Sequence, residues 1–314
     1  MNPENLPNSE LLGKQKVIVQ HQFDERQANG RAYQKFCDTL ATYFARQGLP
    51  VVDEDNQIDA SSEAFHLAGQ VENQIDWLRQ HAPDIPTPKT ASWAEFWRAP
   101  FFPVVAKDYQ SQRGENIFLL ENLAHAQSFG AILQNRPDLL SRLEMQAYID
   151  NGLPFHYSTR VTVDATGQIY FAGLLSSPKE NKLQPATNDF QLLGENNFQT
   201  RSIVSNVAQG GNSLLLQGQA VNDKQQQLLD AVGWGRATLP ATLANLAPRI
   251  ATTLGRQIGL VVGLDFVFDH EQKPYFLEAN FDPSLKSYAN FLRQDVLETQ
   301  RRVYNQAIRN LLRL

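Results

Sequence analysis

The sequence predicts an α/β (α+β) protein, and three observations lead to this fold class. Residues 16–20 read as a short β-branched strand, followed by an amphipathic helical segment at 31–47 and a second strand at 49–52. Two further regions, 157–175 and 259–280, each hold two apolar runs around a polar turn, which is the layout of an antiparallel hairpin. The third observation is a set of apolar stripes at helical spacing between and after these hairpins.

The first strand–helix–strand unit predicts a small α/β lobe at the start of the chain. Residues 83–88 contain three prolines and predict a connector after it. Beyond the connector we expect a strand at 102–106, a helix at 119–134 and a strand at 145–149.

The second half of the chain starts with the hairpin whose strands are 157–164 and 168–175. Residues 176–227 are rich in Gln, Asn and Gly, which predicts either a functional flap or a poorly ordered segment. An apolar stripe at 240–258 predicts a helix, and Pro248 within it predicts a kink or a break into two helices. An amphipathic stretch at the end of the chain predicts a terminal helix.

Composition excludes several classes of protein. The 314 residues carry a net charge of −5, with acidic and basic residues mixed and no basic, aromatic-rich stripe for nucleic acid. No apolar run reaches the roughly 18 residues that span a bilayer. The first residues lack the features of a secretion signal, so we expect a cytoplasmic location. The single cysteine, Cys37, excludes an intramolecular disulfide and is expected to be a buried structural thiol.

The most informative stretch is the hairpin at 259–280. With a four-residue loop at 270–273, Asp265 and Glu278 are predicted to lie directly opposite each other on the two strands. Asn280, two residues further on, points to the same face. Two carboxylates at this separation repel each other unless a cation neutralises them, and Mg²⁺ prefers oxygen ligands. The pattern therefore predicts a metal site, although acids in exposed hairpins also occur without one.

The order Asp265, Glu278, Asn280 and then Pro283 resembles the magnesium-binding end of ATP-grasp enzymes. Glutathione synthetase, D-alanine–D-alanine ligase and the glutamate-adding ligases belong to this superfamily. The resemblance implies an ATP-grasp fold, in which two lobes clamp ATP after a small N-terminal α/β domain. It implies a small domain at 1–85, a smaller lobe or lid at 86–150, and a larger lobe with the metal site and terminal helix at 151–314.

Other residues fit the same resemblance. Lys107, at the end of an apolar strand, resembles the lysine that contacts ATP phosphates, and the segment after it resembles the phosphate-covering loop. Residues 145–149 resemble the hinge that recognises adenine. The implied cofactor-binding residues are Lys107, Ser111, Arg113, Gly114, Gln146, Ala147, Tyr148, Ile149 and Leu277.

Two positions bear on the reaction. Arg160 lies in a stretch that resembles a D-x-R-V motif, with Ser158 in place of the acid, and is the candidate catalytic contact to a phosphate or acyl phosphate. Gly263 stands where D-alanine–D-alanine ligases have an arginine, which weighs against dipeptide ligation of that type.

The resemblance implies an ADP-forming carboxylate–amine ligase that uses ATP with Mg²⁺ or Mn²⁺. Its partners would be a small carboxylic acid, such as an amino acid or short peptide, and an amine, with no nucleic acid and no membrane. A homodimer is an open alternative to a monomer. A kinase of the same fold, which phosphorylates a hydroxyl group, and a non-catalytic nucleotide-binding protein both remain open.

Overall fold

The fold is that of a computed structural model, which describes residues 17–18, 65–66, 74–108, 116–153, 155–177, 212–216, 220–254, 261–281, 283 and 285–312. The helix predicted at 31–47, the strand at 49–52, Cys37, Ser111, Arg113 and Gly114 lie outside the described residues.

The described chain begins with a parallel pair, β1 (Val17–Ile18) and β2 (Phe65–His66), followed by α1 (Gln74–His81). A four-stranded antiparallel sheet follows in the order β3-β6-β4-β5. Its strands are β3 (Thr90–Ser92), β4 (Val104–Asp108), β5 (Ile117–Leu120) and β6 (Leu143–Ala147). The helices that accompany it are α2 (Trp93–Arg98), α3 (Leu123–Leu133) and α4 (Pro137–Leu140).

A second antiparallel sheet has five strands in the order β11-β10-β7-β8-β9. Its strands are β7 (Ser158–Asp164), β8 (Ile169–Ser177), β9 (Asn212–Leu215), β10 (Val261–Phe268) and β11 (Pro274–Phe281). Four helices belong to this half: α5 (Asp223–Ala231), α6 (Ala241–Leu254), α7 (Lys286–Leu292) and α8 (Val296–Leu312). Mixed helices and antiparallel sheets confirm the predicted fold class.

The structure corrects two predicted element boundaries. Helical spacing predicted a helix from residue 119, but Leu119 and Leu120 end strand β5 and α3 begins only at Leu123. Asn122 explains the boundary, because its side chain accepts a hydrogen bond from the His125 N–H and caps the helix. Helix α6 runs through Pro248 without a break, so of the two predicted alternatives the split into two helices is wrong and the kink stays a prediction.

Each sheet has one face packed against helices. In the smaller sheet, buried residues of β4 and β6, including Val104, Ala106 and Met145, pack with Phe96 of α2 and Phe129 of α3. In the larger sheet the same role falls to alternate residues of β7 and β10, which pack against α1, α5 and α6. On its opposite face the larger sheet meets α7 through Tyr288 and α8 through Asn310. The rest of that face, and the opposite face of the smaller sheet, are therefore the places to look for polar, functional side chains.

Helix α1 belongs to the core of the larger sheet. Ile75, Leu78, Ala82 and Ile85 are buried in the same cluster as Leu264 of β10. These residues fall within the small N-terminal domain predicted at 1–85, and the three-part division of the chain stays a prediction. Within the described ranges, no helix combines the length and apolarity that crossing a bilayer requires.

Candidate active site

The hairpin β10–β11 brings the two predicted carboxylates together. Asp265 pairs with Glu278, and Gly263 pairs with Asn280, as the sequence predicted. Strand β7 lies on the other side of β10 and pairs Arg160 with Asp265. Because opposed residues of neighbouring strands share a face, Arg160, Asp265 and Glu278 form one row across three strands.

A β-bulge at Leu277 makes this arrangement possible. The ladder pairs Phe266 with Phe276 and Asp265 with Glu278, so Leu277 has no partner on β10. Phe276 and Ala279 both face the core although an odd number of positions separates them. The extra residue shifts the alternation of the strand, so that the Phe276 ring packs edge-to-face against Phe266 while Glu278 faces away from the core.

The side chains of the row are joined by short hydrogen bonds. Arg160 donates to Asp265 from Nε to Oδ1 and from Nη2 to Oδ2, both at 2.6 Å. Asn280 Nδ2 donates to Asp265 Oδ2 at 2.7 Å and to Glu278 Oε1 at 2.9 Å. Asn280 thus bridges two carboxylates, and the guanidinium forms a bidentate pair with one of them.

The electrostatics of this cluster favour an additional cation. Burial raises the pKa of the Asp265 carboxyl, with the Glu278 carboxylate acting in the same direction and Arg160 opposing both. Arg160 supplies one positive charge for two neighbouring carboxylates. A second positive charge near Glu278 would balance the set.

The residues around the pair fix the position of Arg160. A Cβ atom on Gly263 would lie 2.9 Å from Arg160 Cδ and 3.1 Å from Pro283 Cβ, so the arginine stem occupies the space that glycine leaves. Tyr288 of α7 accepts a hydrogen bond from Thr162 Oγ1 at 3.0 Å and donates to the Arg160 carbonyl at 3.4 Å. Burial raises the pKa of Tyr288 to about 12, which keeps this phenol protonated and able to donate.

The donor set fits a hard divalent cation. Two carboxylates and one amide converge, and Mg²⁺ is commonly held by one or two carboxylates together with water and substrate phosphates. No group of three or more His, Cys, Asp or Glu side chains with metal-binding geometry occurs among the described residues, so a purely protein-built cage is not found there. Asn280 now directs Nδ2 at both carboxylates, and a turn of its amide would present Oδ1 to an ion instead.

The helix-free face of the smaller sheet carries a second group of predicted residues. Val105, Leu119 and Tyr148 form a small apolar cluster on it. Lys107 is two residues beyond Val105 and opposes Glu144, while Gln146 opposes Val105, so all three polar residues share this face. Gln146 is 3% exposed, and its Nε2 is a buried donor that has no hydrogen-bond partner among the described residues.

An unsatisfied buried amide is unusual and indicates a missing ligand or water. The backbone of the predicted hinge is partly engaged already, since Ala147 N–H donates to Lys89 O and Tyr148 N–H donates to Pro103 O. A base bound here would therefore use the Gln146 side chain, Ile149 or the carbonyl groups of the segment.

The predicted site residues thus fall into two groups in the described part of the chain. Asp265, Glu278, Asn280 and Arg160 are brought into direct contact on the larger sheet, and the bulged Leu277 directly precedes Glu278. Lys107, Gln146, Ala147, Tyr148 and Ile149 belong to the smaller sheet and the segment after it. Their roles in metal and cofactor binding stay predictions.

Sequence reasoning missed Glu144, Tyr288 and the structural part played by Gly263. Glu144 could have been found from the two-residue periodicity that links it to Gln146. Tyr288 and Gly263 act through contacts between distant segments, and a single sequence carries no signal for them.

Comparisons with known proteins give structural relatives only. No protein-family model matches the sequence, and a search of curated proteins finds no match. The chain is similar to D-alanine–D-alanine ligase from Bacillus anthracis, with 12% identity over 75% of this chain and 66% of that chain, at a TM-score of 0.43. The chain therefore spans slightly less than two thirds of that ligase.

Two other solved structures are similar over more of the chain. The ATP-grasp ligase PsnB, complexed with a minimal precursor, matches 98% of this chain and 88% of its own, with 11% identity and a TM-score of 0.45. An ATP-grasp RimK domain protein from Sphaerobacter thermophilus matches 87% and 76%, with 17% identity and a TM-score of 0.41.

Proposed function

We propose that this chain is an ATP-grasp enzyme that activates a small carboxylic acid with ATP and joins it to an amine. The observation that supports the proposal most directly is the row Arg160–Asp265–Glu278 with Asn280 bridging the acids. The second support is the polar group on the smaller sheet, with Lys107 and the unsatisfied Gln146 amide.

In this proposal the carboxylate oxygen of the acid attacks the γ-phosphorus of ATP, and ADP leaves. The nitrogen of the amine then attacks the acyl carbon, phosphate leaves, and the amine loses a proton as the amide forms. The first step brings a carboxylate against the negative triphosphate, and the second develops negative charge on the acyl oxygen and the leaving phosphate, so preorganised positive charge is the main requirement for catalysis.

Each proposed residue has a part in this requirement. Mg²⁺ would be held by Asp265, Glu278 and Asn280, and when bound it neutralises charge on the phosphate oxygens. The Arg160 guanidinium is fixed by its bonds to Asp265, and its stem is held in the space beside Gly263. A guanidinium fixed in this way could contact the transferred phosphoryl group. Lys107 would contact phosphates from the smaller sheet, and Gln146 would donate its free N–H to the base.

The acid substrate is tested by trapping. Enzyme, ATP and Mg²⁺ are incubated with hydroxylamine and a panel of amino acids, short peptides and other small acids, and hydroxamate and ADP are measured. We expect one class of acid to give hydroxamate and ADP in equal amounts. Hydroxylamine intercepts an acyl phosphate, so a phosphate ester on a hydroxyl substrate with no hydroxamate would instead establish a kinase.

A matched pair of variants ties the reaction to the site. Arg160→Met should abolish most hydroxamate formation. Arg249→Met is the control, because Arg249 makes an exposed ion pair with Asp84 on the other side of the larger sheet. Equal activity of the two variants would contradict the assignment of Arg160.

A further inference from the structure

The outer edge of strand β11 is closed by the segment that contains α1 and the connector. Strand β11 is the last strand of the larger sheet as far as the chain is described, so no described strand neighbours the backbone groups on its outer side. Gln74 fills one place: its Oε1 accepts from Ala279 N–H at 2.6 Å, and its Nε2 donates to Ala279 O at 3.0 Å. Pro86 O accepts from Phe276 N–H at 2.9 Å and fills another.

The position of these contacts relative to the bulge is informative. The bulge at Leu277 interrupts the ladder to β10 immediately before Glu278. Phe276 and Ala279, the residues whose outer N–H groups are bonded, flank the two-residue segment that contains the bulge and Glu278. The strand is therefore held from outside on both sides of the place where its ladder to β10 is irregular.

The chemistry of the contact requires a carboxamide. A glutamine side chain carries a donor and an acceptor in one plane, as a peptide group of an adjacent strand does. Ala279 shares peptide bonds with both Glu278 and Asn280, so fixing its N–H and C=O fixes the directions in which those two side chains leave the strand. Gln74 lies 205 positions away in the sequence, and its helix is anchored to α6 through Trp77 Nε1, which donates to Thr253 O at 3.2 Å.

We propose that Gln74 is a positioning residue that holds β11 so that Glu278 and Asn280 face Asp265 in the geometry that binds the metal–nucleotide complex. This inference rests on the proposed function, because the metal–nucleotide complex belongs to it. Gln74 itself touches neither substrate nor metal; it acts through the backbone of Ala279.

Two variants and one control test the inference. Gln74→Ala removes both bonds to Ala279, and Gln74→Glu keeps an acceptor for the N–H but loses the donor to the carbonyl. Trp77→Phe is the control, because it removes a side-chain bond of the same helix to a backbone carbonyl that is not in β11. Hydrogen exchange is followed in peptides that cover 274–281, and Mn²⁺ binding in the presence of ADP is measured by electron paramagnetic resonance.

Gln74→Ala should speed exchange at Ala279 by about tenfold and weaken Mn²⁺ binding with ADP by at least about fivefold, with Gln74→Glu between it and the wild type. Trp77→Phe should leave both quantities within about twofold of the wild type. A helix that matters only for stability would make Trp77→Phe and Gln74→Ala equivalent in Mn²⁺ binding, and this result would overturn the inference. Should Gln74→Ala fail to fold, the comparison of Gln74→Glu with Trp77→Phe decides in the same way.

The two levels of the proposal fail differently. Wild-type protein that binds no Mn²⁺ with ADP overturns the proposed function and the metal part of this inference together. If the wild type binds Mn²⁺ with ADP and Gln74→Ala binds it equally well, only the positioning role of Gln74 is overturned, whether or not exchange at Ala279 becomes faster.

Discussion

Gly263→Ala tests whether the space beside Asp265 is reserved for Arg160. The new Cβ would lie 2.9 Å from Arg160 Cδ, 3.3 Å from Arg160 Nε and 3.1 Å from Pro283 Cβ. Ordinary carbon–carbon contacts lie at about 3.5–4.0 Å, so the arginine stem must move by about 0.6 Å or more. Its guanidinium is held by two bonds of 2.6 Å to Asp265, and the pair cannot keep both bonds while the stem moves sideways.

The expected effects on stability and on rate differ in size. Overpacking costs about 1–3 kcal/mol, and replacing glycine returns about 0.4–1 kcal/mol by restricting the unfolded chain, so we expect a net loss near 1 kcal/mol. The Arg160 and Asp265 side chains are 29% and 17% exposed, which leaves room for water to solvate a displaced guanidinium and limits the loss. Misplacing one preorganised charge lowers kcat by up to about 10²–10³-fold. The partial displacement of Arg160 should therefore lower kcat by about 10–100-fold.

The assay compares hydroxamate formation and urea unfolding in the wild type and four variants. Gly235→Ala is the matched control, because nothing lies within 4 Å of its added Cβ, and it should keep wild-type activity. Arg160→Met and the double variant with Gly263→Ala complete a cycle. If Gly263→Ala acts through Arg160, it should lower the rate little further in the Arg160→Met background. Fully additive losses in the double variant, or a Gly263→Ala enzyme as active as Gly235→Ala, would refute this reasoning.

Two further outcomes are expected. Lys107→Met should weaken ATP binding about tenfold to a hundredfold, since hydrogen bonds to charged groups contribute about 1.5–3 kcal/mol. Lys224 is exposed, so Lys224→Met is the control and should leave ATP binding unchanged. Calorimetric titration with a non-hydrolysable ATP analogue measures both affinities, and equal values would contradict the role of Lys107. Asn310→Ala should lower the free energy of unfolding by about 1–3 kcal/mol, because Asn310 Nδ2 donates to the buried Asp164 Oδ2 at 2.8 Å and to Tyr170 Oη at 3.2 Å. Urea unfolding measures this loss. A loss no larger than that of an exposed substitution would contradict the idea that Asn310 anchors α8 to the larger sheet.

Periodicity predicted much of the fold because most helices and strands keep the apolar spacing that is typical of their type. The hairpin β7–β8 was predicted closely, since its two runs alternate around a clear turn at 164–167. The start of α3 was wrong because Leu119 and Leu120 satisfy both a helical stripe and a buried strand, and only the capping contact of Asn122 decides between them. Local patterns cannot reveal contacts such as Gln74 to Ala279, which depend on how distant segments pack.

The pairing of Asp265 with Glu278 was predicted correctly from a register that is itself wrong in two places. The prediction used a four-residue loop and an unbroken ladder, in which Asp269 faces Pro274. In the structure Phe268 pairs with Pro274, which is one residue away from the predicted partner. Asp269 sets this register, because its N–H donates to Lys273 O at 3.2 Å and its Oδ1 accepts from the N–H groups of Glu271 and Lys273, both at 2.9 Å, so Asp269 faces Lys273 and not Pro274.

The bulge at Leu277 cancels this one-residue shift where the acids lie. Without the bulge, the shifted register would place Leu277 opposite Asp265 and turn Glu278 toward the core, where Phe276 and Ala279 pack. The turn at one end of the hairpin and the bulge near the other are therefore linked: the loop chosen by Asp269 makes the bulge necessary for the carboxylates to meet. The same bulge leaves β11 irregularly paired just before Glu278, and the bonds from Pro86 and Gln74 to its outer edge supply the support that the ladder lacks there.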